Sequence, residues 1–328
     1  MKNFIKKLFL LSVPAGLVLI AILLGPYDKK FAYAYLKGDY EEASSIYKRI
    51  FERQQPIDVA FIGTSHTLNG VNDSLLENTL SAKLGRDVKV ANLALSHFGA
   101  NVHYAIFKDL LKTKKPKLLV YEVREVEARF SHFAFPIIAD TEDVLLPEAF
   151  MNTYLFRDYI YALQSRYAYL KTMSAKQPVT LAAKANLNYG YSPINHIAPY
   201  DELLMYRQQE LQKPMFYLGE DLKNIEFSHS KSYVQKIYEI ARENDVEIVF
   251  LYLPSYKSPV NKPVEYEFYN QMGHVWMPPS QILNDSTAWA DINHLNHRGA
   301  TALSGWLVKE LEKNNALQGS RLGAIEKK

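Results

Sequence analysis

Three short apolar runs fix the fold class of this chain. Val59–Ile62, residues 88–95 and Leu118–Val123 each read as a buried strand, and single segments of helical spacing, Asp73–Leu84 and residues 102–113, lie between them. A strand followed by a helix before the next strand gives βαβ crossovers and a parallel sheet. Gly85 marks the end of the first helix, and the basic, proline-broken link 114–117 leads into the third strand. After a long interruption the alternation returns. Residues 231–244 have helical spacing, and 246–253 form an almost continuous apolar run of the kind buried on both faces, stopped by Pro254. Residues 255–286 read as loop, with 273–276 as a short strand, before a closing helix over 297–312.

The interruption, at about residues 125–228, is rich in Tyr and Phe and broken by Pro136, Pro147, Pro178 and Pro193. It reads as an insertion of helices and loops over the carboxyl ends of the strands. Tyr154, Phe156, Tyr159, Tyr161, Tyr167 and Tyr169 fall at helical spacing within it. Such a stripe serves either as packing against the sheet or as an exposed platform for glycan.

The amino terminus has a different character. Residues 8–24 are uncharged and dominated by Leu, Ile, Val and Ala, and with Gly25, Pro26 and Tyr27 they approach the length that crosses a bilayer. Lys2, Lys6 and Lys7 precede the run, which by the positive-inside tendency leaves the amino terminus in the cytoplasm and everything after Tyr27 outside. A cleaved signal peptide is the competing reading, with Ala32-Tyr33-Ala34 as its site, but Asp28, Lys29 and Lys30 stand between that site and the apolar run. The expected organisation is therefore a membrane anchor (1–28), a juxtamembrane helix (29–56), an α/β domain (57–314) and a polar tail (315–328). The formal net charge is +3, of which Lys2, Lys6 and Lys7 less Asp28 supply +2, so the remainder is near neutral and nothing in the overall charge suggests a nucleic-acid surface. The chain has no cysteine, which suits an exported domain and excludes disulfides and thiolate metal sites.

Chemistry concentrates at two places. The first strand ends abruptly in Gly63-Thr64-Ser65-His66, which lifts a serine off the carboxyl end of a strand, where open α/β sheets keep their reactive groups. Far downstream, Asp291 and His294 lie three residues apart just before the closing helix. At that spacing a carboxylate orients one imidazole nitrogen and leaves the other to take a hydroxyl proton. Asp291 is alternatively a helix cap with His294 on the surface. A third reading makes Asp291, His294 and His297 metal ligands, with His66 or His97 brought near by the fold.

Gly63-Thr64-Ser65, Gly99 after the second strand, and the string from Asp291 to Gly299 with its Asp-x-x-His-Leu-Asn-x-x-Gly pattern together resemble the SGNH/GDSL hydrolase superfamily. More closely they resemble its membrane-anchored bacterial branch, which includes the D-alanyl-lipoteichoic acid biosynthesis protein and relatives acting in O-acylation of envelope polysaccharides. The resemblance covers residues 57–113 and 291–311. It implies a flavodoxin-like three-layer α/β/α domain with Ser65 as nucleophile, His294 as general base and Asp291 as its orienting carboxylate. The amides of Ser65 and Gly99 would form part of an oxyanion hole. The implied setting is the outer face of the bacterial cytoplasmic membrane, single-pass, with a cell-envelope glycan as substrate and no cofactor. The alternative is a noncatalytic partner that presents glycan to a membrane-bound O-acyltransferase.

Two positions depart from the pattern. The superfamily's Gly-x-Asn-Asp after the third strand is replaced by Tyr121-Glu122-Val123-Arg124-Glu125, so Arg124 either supplies an alternative oxyanion donor or pairs with Glu125 or Glu127. His66 stands where the first block usually has aspartate and would place an additional donor beside the nucleophile.

Overall fold

In a computed structural model the chain is described over residues 2–145, 152–182, 188–313 and 317. Pro147 and the tail from 318 onward lie outside the described residues. Five strands, β1 (Val59–Ile62), β2 (Val90–Asn92), β3 (Leu118–Val123), β4 (Glu247–Tyr252) and β5 (His274–Trp276), form one all-parallel sheet in the order β2-β1-β3-β4-β5. The order reverses at β1, and all carboxyl ends point to one edge. That edge next to β1 is where an open sheet offers a crevice.

Period-two alternation sends successive side chains to opposite faces. Ala60, Ile62, Leu119, Tyr121, Ile248 and Phe250 face one core, under helices Ala100–Thr113 and Ser228–Glu243. Val59, Phe61, Leu118, Val120, Val249 and Leu251 face the other, under helices Asp73–Leu84 and His297–Lys313. The result is three layers. The strand expected over 88–95 is shorter, but Leu93 and Leu95 continue to donate to the carbonyls of Phe61 and Gly63, at 2.8 and 3.0 Å.

The expected juxtamembrane helix takes another form. Residues 29–52 fold as helices Lys29–Tyr35 and Glu41–Tyr47 and a π-helical turn Lys48–Glu52, and they bury Tyr33, Leu36, Tyr40, Ala43, Ile46 and Ile50 in the same core as the sheet. Arg49 locks this segment to the sheet edge. Its guanidinium pairs with buried Asp73 at 2.8 Å and donates to the carbonyls of Asn92 and Val90 at 2.9 and 3.0 Å. Asp73 also accepts from the amides of Asn92, Gly190 and Tyr191.

The amino-terminal helix runs Lys2–Leu24. Among the described residues no single helix is long and apolar enough to cross a membrane. The pair Ser12–Leu24 and Lys29–Tyr35 meets the requirement jointly but is bent by 101°. The second limb of that pair is the core-buried helix just described.

The insertion has several parts. Helix Leu155–Ser174 packs beside the amino-terminal segment, where Tyr169 meets Tyr27 and Phe31 edge-on, and Tyr159 and Tyr161 join the core while Phe156 and Tyr167 are exposed. Two other parts reach the strand ends: His132 meets the Ser96 carbonyl at 2.9 Å and lies against Gly99, and in the segment near 188–198 the Ser192 amide donates to the Leu68 carbonyl and the Ala198 amide to that of Trp289.

Removing one partner of a buried ion pair strands the other charge, a loss of about 3–5 kcal/mol. Asp73→Ala is therefore expected to lower unfolding stability by at least that amount in chemical denaturation, since the amides of Asn92, Gly190 and Tyr191 lose their acceptor as well.

Candidate active site

The turn after β1 is held by a carboxylate that the motif did not reveal. Glu122 sits in β3 on the same row as Leu118 and Val120, in register with Gly63, and is buried. Its oxygens accept from the Thr64 amide (2.8 Å), Thr64 Oγ1 (2.7 Å), the Thr67 amide (3.0 Å) and Thr67 Oγ1 (2.6 Å). No cation among the described residues pairs with it. Four charge-assisted hydrogen bonds of roughly 1.5–3 kcal/mol each offset a desolvation penalty of several kcal/mol for one buried anion. Gly63 makes the approach possible, since a Cβ there would lie 2.4 Å from Glu122 Oε2. The signal in the sequence was a lone Glu inside the apolar run of β3, because charged side chains are rarely buried without partners.

With the turn so fixed, Ser65 opens a short helix, Ser65–Gly70, capped by Thr64. His294 Nε2 lies 2.8 Å from Ser65 Oγ, and His294 Nδ1 lies 2.8 and 3.0 Å from the two oxygens of Asp291. Asp291 also accepts from the amides of Asn293 (2.7 Å) and His294 (2.9 Å). Partial burial raises its carboxyl pKa, but the His294 and Asn293 hydrogen bonds together outweigh burial and hold it below its ordinary value. A charged Asp291 favours the proton on Nδ1, which leaves Nε2 as an acceptor for the serine proton.

The rest of the Asp-x-x-His-Leu-Asn-x-x-Gly string is the frame of this loop. Leu295 is buried and bridges Trp289, Asn296 donates to the carbonyls of Thr287 and Trp289, and its Oδ1 accepts from the Gly299 amide. A Cβ on Gly299 would lie 2.3 Å from the Ala288 carbonyl oxygen. Asn296, not Asp291, thus caps the closing helix.

His66 is buried with its ring 5.3 Å from that of His294. Burial first, then the positive charge of Arg124 and the neighbouring His294 ring, push its pKa well below the usual histidine value, so it is a neutral imidazole. Gly99 precedes helix Ala100–Thr113 and lines a small cavity of about 20 Å³ together with Thr64 and Arg124. Of the two acids proposed as Arg124's partners, Glu125 is engaged, at 3.2 Å. Glu127 instead hydrogen-bonds the Tyr269 hydroxyl, and burial lifts it to about 7.

The ligand set for a metal does not converge. His297 Nδ1 meets Tyr191 (3.1 Å), His97 packs beside Tyr40, and both nitrogens of His294 are engaged. Within the helix that Ser65 opens, Leu68 borders a groove of about 390 Å³ lined also by Glu41, Glu42, Tyr189, Tyr191 and Ser192.

No family model matches the chain, and no curated protein matches it.

Two outcomes follow from the buried acids. Glu122→Ala strands the Thr64 and Thr67 donors and is expected to cost about 3 kcal/mol or more, read by urea denaturation. Glu127 has a folded pKa of about 7 against an ordinary 4.5. Its stabilising protonated form is fully present below the unfolded pKa and lost as pH rises toward 7, by up to about 3 kcal/mol. Glu127→Gln is expected to flatten the pH dependence of unfolding across that window.

Proposed function

We propose that the chain is an SGNH-type serine acyltransferase or esterase with a flavodoxin-like domain, held at the outer face of the bacterial cytoplasmic membrane by residues 8–27 and acting on a cell-envelope glycan. The single observation that carries the reading is the continuous hydrogen-bonded array from Asp291 through His294 to Ser65, closed at 2.8 Å between Nε2 and Oγ. Two further features support it. The nucleophile's turn is rigidly held by Glu122, and the adjoining groove offers tyrosine rings and carboxylates to sugar hydroxyls.

In this reading Ser65 Oγ attacks an acyl ester, its proton passes to His294 Nε2, and Asp291 stabilises the imidazolium. Collapse expels the donor alkoxide, which takes the proton back, and leaves acyl-Ser65. A glycan hydroxyl or water then enters by the same route in reverse. The amides of Ser65 and Gly99 receive the oxyanion.

One observation favours the alternative of a noncatalytic partner for a membrane-bound O-acyltransferase: Phe156 is 82% exposed and Tyr167 60%, both on helix Leu155–Ser174 of the insertion. The two readings part at the serine. Ser65→Ala and His294→Ala are each expected to reduce glycan acylation or ester turnover by on the order of 10³-fold or more at unchanged protein level. Acylation that persists in cells carrying Ser65→Ala would sink the catalytic reading and leave the docking one.

A further inference from the structure

Arg124 is 8% exposed, yet two of its nitrogens, Nε and Nη1, are buried with no hydrogen-bond partner among the described residues. Buried donors on a permanent cation are costly to leave unpaired, so such a pair calls for a physical account. The third nitrogen explains how the side chain is held. Nη2 donates to Ser255 Oγ at 3.1 Å and lies 3.2 Å from Glu125 Oε2, while Glu125 is itself fixed by the Ser255 amide at 2.7 Å and hydroxyl at 2.9 Å. The guanidinium also lies over the Phe98 ring, 5.1 Å from its centroid. The guanidinium is thus anchored through Nη2, with Nε and Nη1, on its two sides, left unpaired.

Both residues follow the carboxyl ends of adjacent parallel strands, Ser65 after β1 and Arg124 after β3, and these strands pair through Ile62 and Tyr121. Arg124 shares its cavity with Thr64 and Gly99, the neighbours of Ser65 and of the second strand's exit. Its charge reaches His66, whose ring lies 5.3 Å from that of His294.

We infer that Arg124 presents one of its unpaired guanidinium N–H groups to the carbonyl oxygen of an acyl ester bound at Ser65, taking the oxyanion contact that an asparagine would otherwise make, with Glu125 and Ser255 as positioning residues. The inference rests on the reading of Ser65 as nucleophile. As the Oγ–C bond forms, the carbonyl π pair moves to oxygen and the serine proton to His294. The new negative charge then faces a fixed cation in a water-poor site, where such a contact is strongest. On collapse the pair returns to the C=O bond and the leaving oxygen takes the proton from His294.

The test is the rate at which the full-length protein is phosphonylated by a fluorophosphonate, with the modified residue located by mass spectrometry. The phosphoryl oxygen occupies the oxyanion position and Ser65 displaces fluoride. Arg124→Ala is expected to slow labelling of Ser65 by on the order of 10²–10³-fold, with partial rescue by added guanidinium, and Arg124→Lys to fall between. A merely structural arginine would give no guanidinium rescue. Labelling of Arg124→Ala within about threefold of wild type, or a loss that guanidinium does not repair, would overturn the assignment while leaving Ser65 as nucleophile. If wild-type Ser65 takes no label, the reading of the nucleophile fails and this inference with it.

Discussion

The geometry around Ser65 depends on one buried carboxylate. Glu122 reaches across from the neighbouring strand and binds the backbone and hydroxyl of both Thr64 and Thr67, the residues that bracket Ser65 and His66. A serine at the tip of a turn is ordinarily free to choose among rotamers and backbone states. Here the backbone on both sides is tied to a central strand, so the orientation of Oγ inherits the rigidity of the sheet. The same contact explains why Gly63 is glycine and why threonine recurs three residues apart: each is a surface complementary to two carboxylate oxygens.

The imidazole arrives from the other end of the chain and is braced independently. Asn296 and Gly299 fold the Asp291–His294 loop onto the Ala288–Trp289 backbone before the closing helix begins. Two separately rigid pieces therefore meet at the 2.8 Å contact. The ring beside it adds no charge. A charged His66 so near His294 would oppose formation of an imidazolium, whereas the buried, neutral ring does not.

Much of this was legible from residues. Val59–Ile62, Asp73–Leu84 and Leu118–Val123 have the predicted bounds, because apolar runs and helix stops are local signals. The short strand near residue 275 was also visible. Ser65, Asp291 and His294 were readable as a set, since a strand-end serine and an Asp-x-x-His pair each need only local geometry. What escaped was non-local. Glu122 acquires meaning only once β3 lies beside β1, and Arg124's half-anchored state only once Ser255 returns beside it. Residues 29–52 read as a spacer because Arg49 looks like a surface charge until Asp73 is folded against it.

That last contact bears on how the molecule can move. A domain on a flexible leash samples a volume set by the leash, and its reactive centre can search for substrate. Here the residues following the amino-terminal helix are woven into the core and clamped by Arg49 to the sheet edge beside β1, so no slack lies between that helix and the strand carrying Ser65. A restraint on the amino-terminal helix is thus passed on to the position and heading of Ser65, as a handle passes its motion to a rigid blade.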